Sequence, residues 1–163
     1  MSRKYISYQN GYTMMEMMII IVVIGVLAAM AVPSFLTMMP RLKLKSDART
    51  MINYLRTARS RAIAENNQYG IYFDANNSRL ILFKDTNDPT GATYNAGQDS
   101  VIDSSATLNN GVAFGAVSFT NNSVVFFSSG AAAESGSLIL SHCDVARYYT
   151  VNVLASTGKV AMQ

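Results

Sequence analysis

The sequence predicts an α+β fold in which a long N-terminal helix, membrane-spanning in its first half and amphipathic in its second, packs on antiparallel β-sheets. Three observations carry this. Met17 to Met39 is an uninterrupted run of 23 uncharged residues. From Leu44 to Ala62 the apolar residues recur at spacings of three and four. Beyond Asn67, short β-rich runs alternate with Asn, Ser and Gly clusters.

As a helix, Met17 to Met39 is about 34 Å long, enough to cross a hydrocarbon core of about 30 Å. Arg3 and Lys4 supply the positive flank ahead of it. Within it, Gly25 lowers helix propensity and Pro33 removes a backbone donor and crowds the carbonyl of Ala29, so 25–33 is the weak stretch. The amphipathic half, 41–65, presents Leu44, Ala48, Met51, Ile52, Leu55, Ala58 and Ala62 on one face. At about 100° per residue, Lys45, Arg49 and Arg56 fall within about 40° of one another beside that stripe, as a basic ridge. Tyr69 to Asp74 and Arg79 to Lys84, joined by Ala-Asn-Asn-Ser, form a hairpin. Further strands are predicted at Gly111 to Phe114, Val124 to Phe127, Leu138 to Cys143, Tyr148 to Leu154 and Gly158 to Met162, so β-sheets fill 68–163.

Charge divides along the chain. Arg41 to Arg61 holds seven basic residues against Asp47 alone, whereas the residues from Ala62 onward hold four basic residues against eight acids. A basic helix therefore precedes an acidic body, and the ridge is expected to meet acids such as Asp85, Asp88 or Asp99 on another molecule, or a polyanion.

The sequence offers no catalytic or metal-ligating set and calls for no cofactor. It contains no phosphate loop, dinucleotide fingerprint or nucleophile elbow. His142, Cys143 and Asp144 are adjacent, but neighbours on a strand point to opposite faces, so His142 and Cys143 are not expected to converge on one atom. Asp85 to Gly91 has oxygen ligands without calcium-loop spacing, because Pro89 and Ala96 stand where an acid is needed, and reads as a polar turn. Cys143 is the only cysteine, which excludes an intramolecular disulfide.

Glu16 departs from an ordinary membrane anchor. At the edge of the apolar run, an ionised carboxylate in the membrane costs about 2.5 to 3.5 kcal/mol, which calls for a cationic partner, a function, or snorkelling to the headgroups. Gly11-Tyr12-Thr13-Met14-Met15-Glu16, followed by Met17 to Leu27, resembles the class III signal of type IV prepilins and type II secretion pseudopilins. The resemblance implies a leader, 1–11, removed after Gly11 by a prepilin peptidase; N-methylation of Tyr12; and an assembly role for Glu16. It also divides the remaining chain into a transmembrane and assembly helix, 12–40, and a pilin-like domain, 41–163, and lets the Gly25 to Pro33 stretch unwind inside a filament. Cleavage at Gly11 creates an α-amino group with a reference pKa of about 7.7 to 8.0, a cation at the membrane depth of Glu16. Each charge offsets the other's desolvation, within one subunit or between neighbours.

The second half is similar to the GspH/FimT group of minor pilins and pseudopilins. Ala48, Leu55, Ala58, Arg59, Ala62 and Ile63 carry this on the helix, with Phe126 to Gly130 and with Tyr148 to Val153 leading into Thr157-Gly158-Lys159-Val160. Membership implies an inner-membrane, single-pass protein with its domain in the periplasm, later drawn into a filament by an inner-membrane assembly platform, with other subunits as partners. Two rival readings stay open. One is a DNA-uptake pilin, in which Lys159 keeps one of the two cations of a Gly-Arg-x-Arg tail. The other is a secreted soluble domain cut after Ala31, where Ala29-Met30-Ala31 resembles a signal-peptidase site.

Overall fold

The computed structural model describes residues 11–86 and 92–163. One helix, α1 (Met14–Glu65), is followed by eight strands: β1 (Gln68–Asp74), β2 (Arg79–Asp85), β3 (Ser100–Asp103), β4 (Val112–Val117), β5 (Ser123–Phe126), β6 (Gly136–His142), β7 (Val145–Leu154) and β8 (Lys159–Met162). The chain divides into two compact units, residues 1–38 and 39–163.

In the first unit, the Thr13 hydroxyl accepts the Glu16 amide at 3.2 Å and caps α1. The apolar residues that follow are exposed throughout, and an 18-residue window reaches a mean hydropathy of 2.8 with none of it buried. A core helix of that hydropathy is covered by its own protein; this one is long and apolar enough to cross a membrane and is left bare. The helix is continuous through Gly25, Pro33 and Pro40.

In the second unit, the seven apolar residues that the spacing selects on α1 are all buried, and Asp47 joins them. They share one core with the inward faces of two four-stranded antiparallel sheets, ordered β3-β2-β1-β5 and β4-β6-β7-β8. Tyr69, Ile71 and Phe73 of β1 alternate inward from the first sheet, as do Leu138 and Leu140 of β6 from the second. Asp47 is satisfied inside by the backbone and side-chain amides of Asn109, at 2.8 and 2.6 Å, and ties the β3–β4 connection to the helix.

The predicted hairpin forms, with Asp74 opposite Arg79. Two features differ from expectation. β3 is an additional strand, formed by a polar stretch that pairs with β2 at the edge. The first sheet is also covered on its back face, where Ile81, Phe83 and Val125 are buried beneath the connection that carries Tyr94. The Tyr94 ring lies 4.9 Å from Tyr72 and 5.0 Å from Phe83 between centroids. Asp99 anchors that connection by accepting the amides of Thr86 and Asn95. Gly70 permits it, since a Cβ there would stand 2.5 Å from the Phe83 ring.

Two carboxylates link this framework to pH. Asp74 accepts Asn77 and Arg79, and these bonds, Asn77 first, lower its pKa. Asp103 accepts the Tyr54 hydroxyl at 2.7 Å, which lowers its pKa in turn. A lowered folded pKa contributes stability that is complete above the unfolded value of about 3.9 and lost as pH falls through the folded value. Urea unfolding of the chain in detergent should therefore show stability declining below about pH 5. The double variant Asp74→Asn/Asp103→Asn should be less stable at neutral pH and show a flatter decline; an unchanged slope would refute the assignment.

Candidate functional site

Gly11 and Tyr12 lie ahead of α1, with Tyr12 exposed and open space around Gly11. Glu16 sits in the first turn of α1, where the unpaired amides of a helix N-terminus favour a carboxylate.

The cations meet elsewhere. Arg56, Arg59, Ser60 and Ile63 follow one another at helical spacing and form one wall of a cleft of about 600 Å³, whose other wall is the β7–β8 turn with Thr157, Gly158, Lys159 and Val160. The walls are held together at one point. Arg59 Nε donates to the Gly130 carbonyl at 2.9 Å. Gly158 packs on that same carbonyl, so closely that a Cβ would come within 2.1 Å of it, at a φ of +58°. A residue with a side chain fits there neither sterically nor conformationally. Three separate stretches of sequence, around Arg59, Gly130 and Gly158, thus converge on one hydrogen bond.

Of the four cations that the sequence points to, the cleft unites Arg56 and Lys159. Lys45 and Arg49 are exposed on α1 but do not line it. Arg59 and Ile63 were legible only as fold residues. The signal for more was the Arg56–Arg59 pair, since like charges one turn apart disfavour a helix and ask for an external anion.

The expected acidic counterparts are corrected by the structure. Asp85 is 4% exposed and Asp99 7%, so neither can present a surface to another molecule, and Asp88 lies outside the described residues. The remaining acids are mostly engaged as well: Glu65 by the Tyr69 hydroxyl, Glu134 by Thr120, and Asp47, Asp74 and Asp103 as above. The Tyr69 phenol, buried and bonded to Glu65, is pushed up to about 12. Asp144 alone among the described domain acids stands out, its side chain 71% exposed and facing only His142, at 3.9 Å.

His142, Cys143 and Asp144 do come together, against expectation. Strand β6 ends at His142, so Cys143 and Asp144 form the turn instead of alternating along a strand, and the three ligand atoms lie within 4.8 Å of one another. Their hydrogen bonding opposes a metal. His142 Nδ1 accepts the Asp144 amide at 3.1 Å, which uses its lone pair and leaves the proton on Nε2, a buried atom with no partner. The polar stretch Asp85 to Gly91 falls largely outside the described residues.

Comparison with known proteins agrees with this architecture. The family model of the type II transport protein GspH matches residues 47–157, and that of the prokaryotic N-terminal methylation motif matches residues 6–32. The type IV major pilin protein PilA of Myxococcus xanthus (strain DK1622) is 39% identical over 60 residues, 37% of this chain and only 27% of that protein's length. Two solved structures share the fold. The type IV minor pilin FimU of Pseudomonas aeruginosa superposes with a TM-score of 0.59 at 12% identity, covering 76% of this chain and 90% of that one. The minor pseudopilin EpsH from the type 2 secretion system of Vibrio cholerae gives 0.50 at 16% identity, covering 74% and 96%.

The Arg59–Gly130–Gly158 contact yields a prediction. Gly158→Ala forces the turn off the Gly130 carbonyl and should destabilise the protein by about 1 to 3 kcal/mol, from overpacking and from the positive φ. Gly97→Ala, also at positive φ but in open space, should cost less. Equal losses in urea unfolding would show that Gly158 contributes only its backbone freedom.

Proposed function

We propose, for a chain that belongs to the GspH family, a structural role as a minor pilin or pseudopilin, processed and assembled through its N-terminus. In this reading a prepilin peptidase cuts between Gly11 and Tyr12, and the new Tyr12 amine is methylated. The apolar half of α1 then holds the subunit in the inner membrane, single-pass with its domain outside the cytoplasm, until the assembly platform draws it into a filament. The observation that carries the reading is the Gly11 to Glu16 stretch leading into an apolar helix that the chain itself leaves uncovered. The methylation-motif match over the same residues supports it. In the filament, Glu16 offsets the charge of an α-amino group at the same depth. The weak stretch from Gly25 to Pro33, helical here, is where neighbouring helices can shield unwound backbone.

A DNA-uptake role is the second reading, for which the exposed cations Lys45, Arg49, Arg56 and Lys159 are the basis. Secretion as a soluble domain cut after Ala31 explains neither Glu16 nor the methylation motif.

Intact-mass analysis of the membrane-extracted protein should give a chain starting at Tyr12 and carrying one added methyl group. A start at Val32, or an uncut leader in cells with active prepilin peptidase, would exclude this role. Glu16→Ala should be processed normally yet be depleted from sheared filaments by about two to four orders of magnitude, since removing one partner of a buried ion pair costs about 3 to 5 kcal/mol. Normal incorporation would show that Glu16 has no counter-charge in the assembly.

A further inference from the structure

The cleft between α1 and the β7–β8 turn gathers cations that no acid among the described residues pairs with. Arg56, Arg59 and Lys159 line it, and among the described residues the ion pairs are confined to Arg79 with Asp74 and His142 with Asp144. Arg59 has its Nε fixed on the Gly130 carbonyl, which holds the planar guanidinium in place and leaves its terminal nitrogens as donors for a further acceptor. Ile63 is 50% exposed beside them, so the cleft joins an apolar patch to a cationic one.

We propose that this cleft receives a segment of a different, acidic filament subunit, with a carboxylate held by Arg56, Arg59 and Lys159 and an adjoining aliphatic side chain resting on Ile63. The proposal rests on the reading of the chain as a filament subunit. A second copy of this chain is a poor occupant. Its described domain acids are buried or engaged by their own amides and hydroxyls, exposed Glu65 by Tyr69 among them, and Asp144, which faces only His142, sits at the far end of β7 from the cleft, a single carboxylate against three cations. Ten residues of strand separate the two ends, about 33 Å. A nucleic-acid duplex is disfavoured by shape. Phosphate contacts are spread along a backbone, whereas these cations converge on one walled cleft, Lys45 and Arg49 stay outside it, and Ile63 has nothing to do on a phosphate.

The test places a photo-crosslinking amino acid at Ser60, on the exposed helix wall of the cleft, in the full chain expressed in cells that assemble filaments. Adducts recovered from sheared filaments are sequenced by mass spectrometry. The expected adduct joins Ser60 to a peptide of another subunit with an Asp or Glu beside an aliphatic residue. Adding Arg56→Glu and Lys159→Glu should lower its yield at least about tenfold, with processing at Gly11 unchanged. An adduct with a second copy of this chain or with DNA, or no adduct from a chain that does enter filaments, overturns the proposal and leaves the subunit role intact. A chain that is never cut and never enters filaments overturns both.

Discussion

The domain depends on one stripe of one helix. Two sheets, each with an inward apolar face, need a common partner, and the stripe from Leu44 to Ala62 is that partner. Fully burying a large aliphatic side chain contributes about 1.5 to 3 kcal/mol, and the stripe buries Leu44, Met51, Ile52 and Leu55. The alanines between them matter for the opposite reason. Ala48, Ala58 and Ala62 are buried with almost no volume, which lets the strands approach the helix closely. In the first unit the same helix carries apolar residues all round and none is covered, so one element meets two solvents with two patterns.

Charge counted along a chain is not charge displayed on a surface. The second half looks acidic in sequence, yet most of its acids work inside as acceptors: Asp47 for Asn109, Asp74 for the hairpin turn, Asp99 for the connection over the first sheet. Amides and hydroxyls satisfy these carboxylates, so each becomes a structural clasp. Arg59 grips the Gly130 carbonyl, but among the described residues no basic residue of α1, beside the stripe, pairs with an acid. The outward face of the domain is accordingly more cationic than the chain's formal charge of +3 suggests.

Much of this fold was legible because its signals are periodic. The helix stripe could be read residue by residue, and the β1–β2 hairpin followed from two β-rich runs around Ala-Asn-Asn-Ser. β3 was not legible, because four residues in a polar setting owe their strand state to pairing with β2, which local sequence does not encode. Leu80-Ile81-Leu82-Phe83 did carry a readable hint, since four consecutive apolar residues mean a strand buried on both faces, but what covers the back had to come from Tyr94 in a stretch rich in Asn, Thr and Gly. The cleft was half legible. Arg56 and Lys159 show their charge in sequence, whereas the contact that unites them needs two glycines at positive φ and a carbonyl more than twenty residues from either wall. Alternation failed at His142 because the strand stops there, and periodicity says nothing about where a strand stops.

The Arg59–Gly130 bond has a mechanical consequence. β8 is the outermost strand of its sheet, paired only with β7, and the turn that leads into it is seated on the carbonyl that Arg59 grips. Peeling β8 away lifts Gly158 from that seat and releases one wall of the cleft, so the strand and the cleft fail as a unit. Whatever fills the cleft is therefore also a latch on the sheet edge: by mass action, occupancy adds to the work needed to fray β8. A domain carried on the outside of a filament under shear would hold this edge strand most firmly while its neighbour is in place.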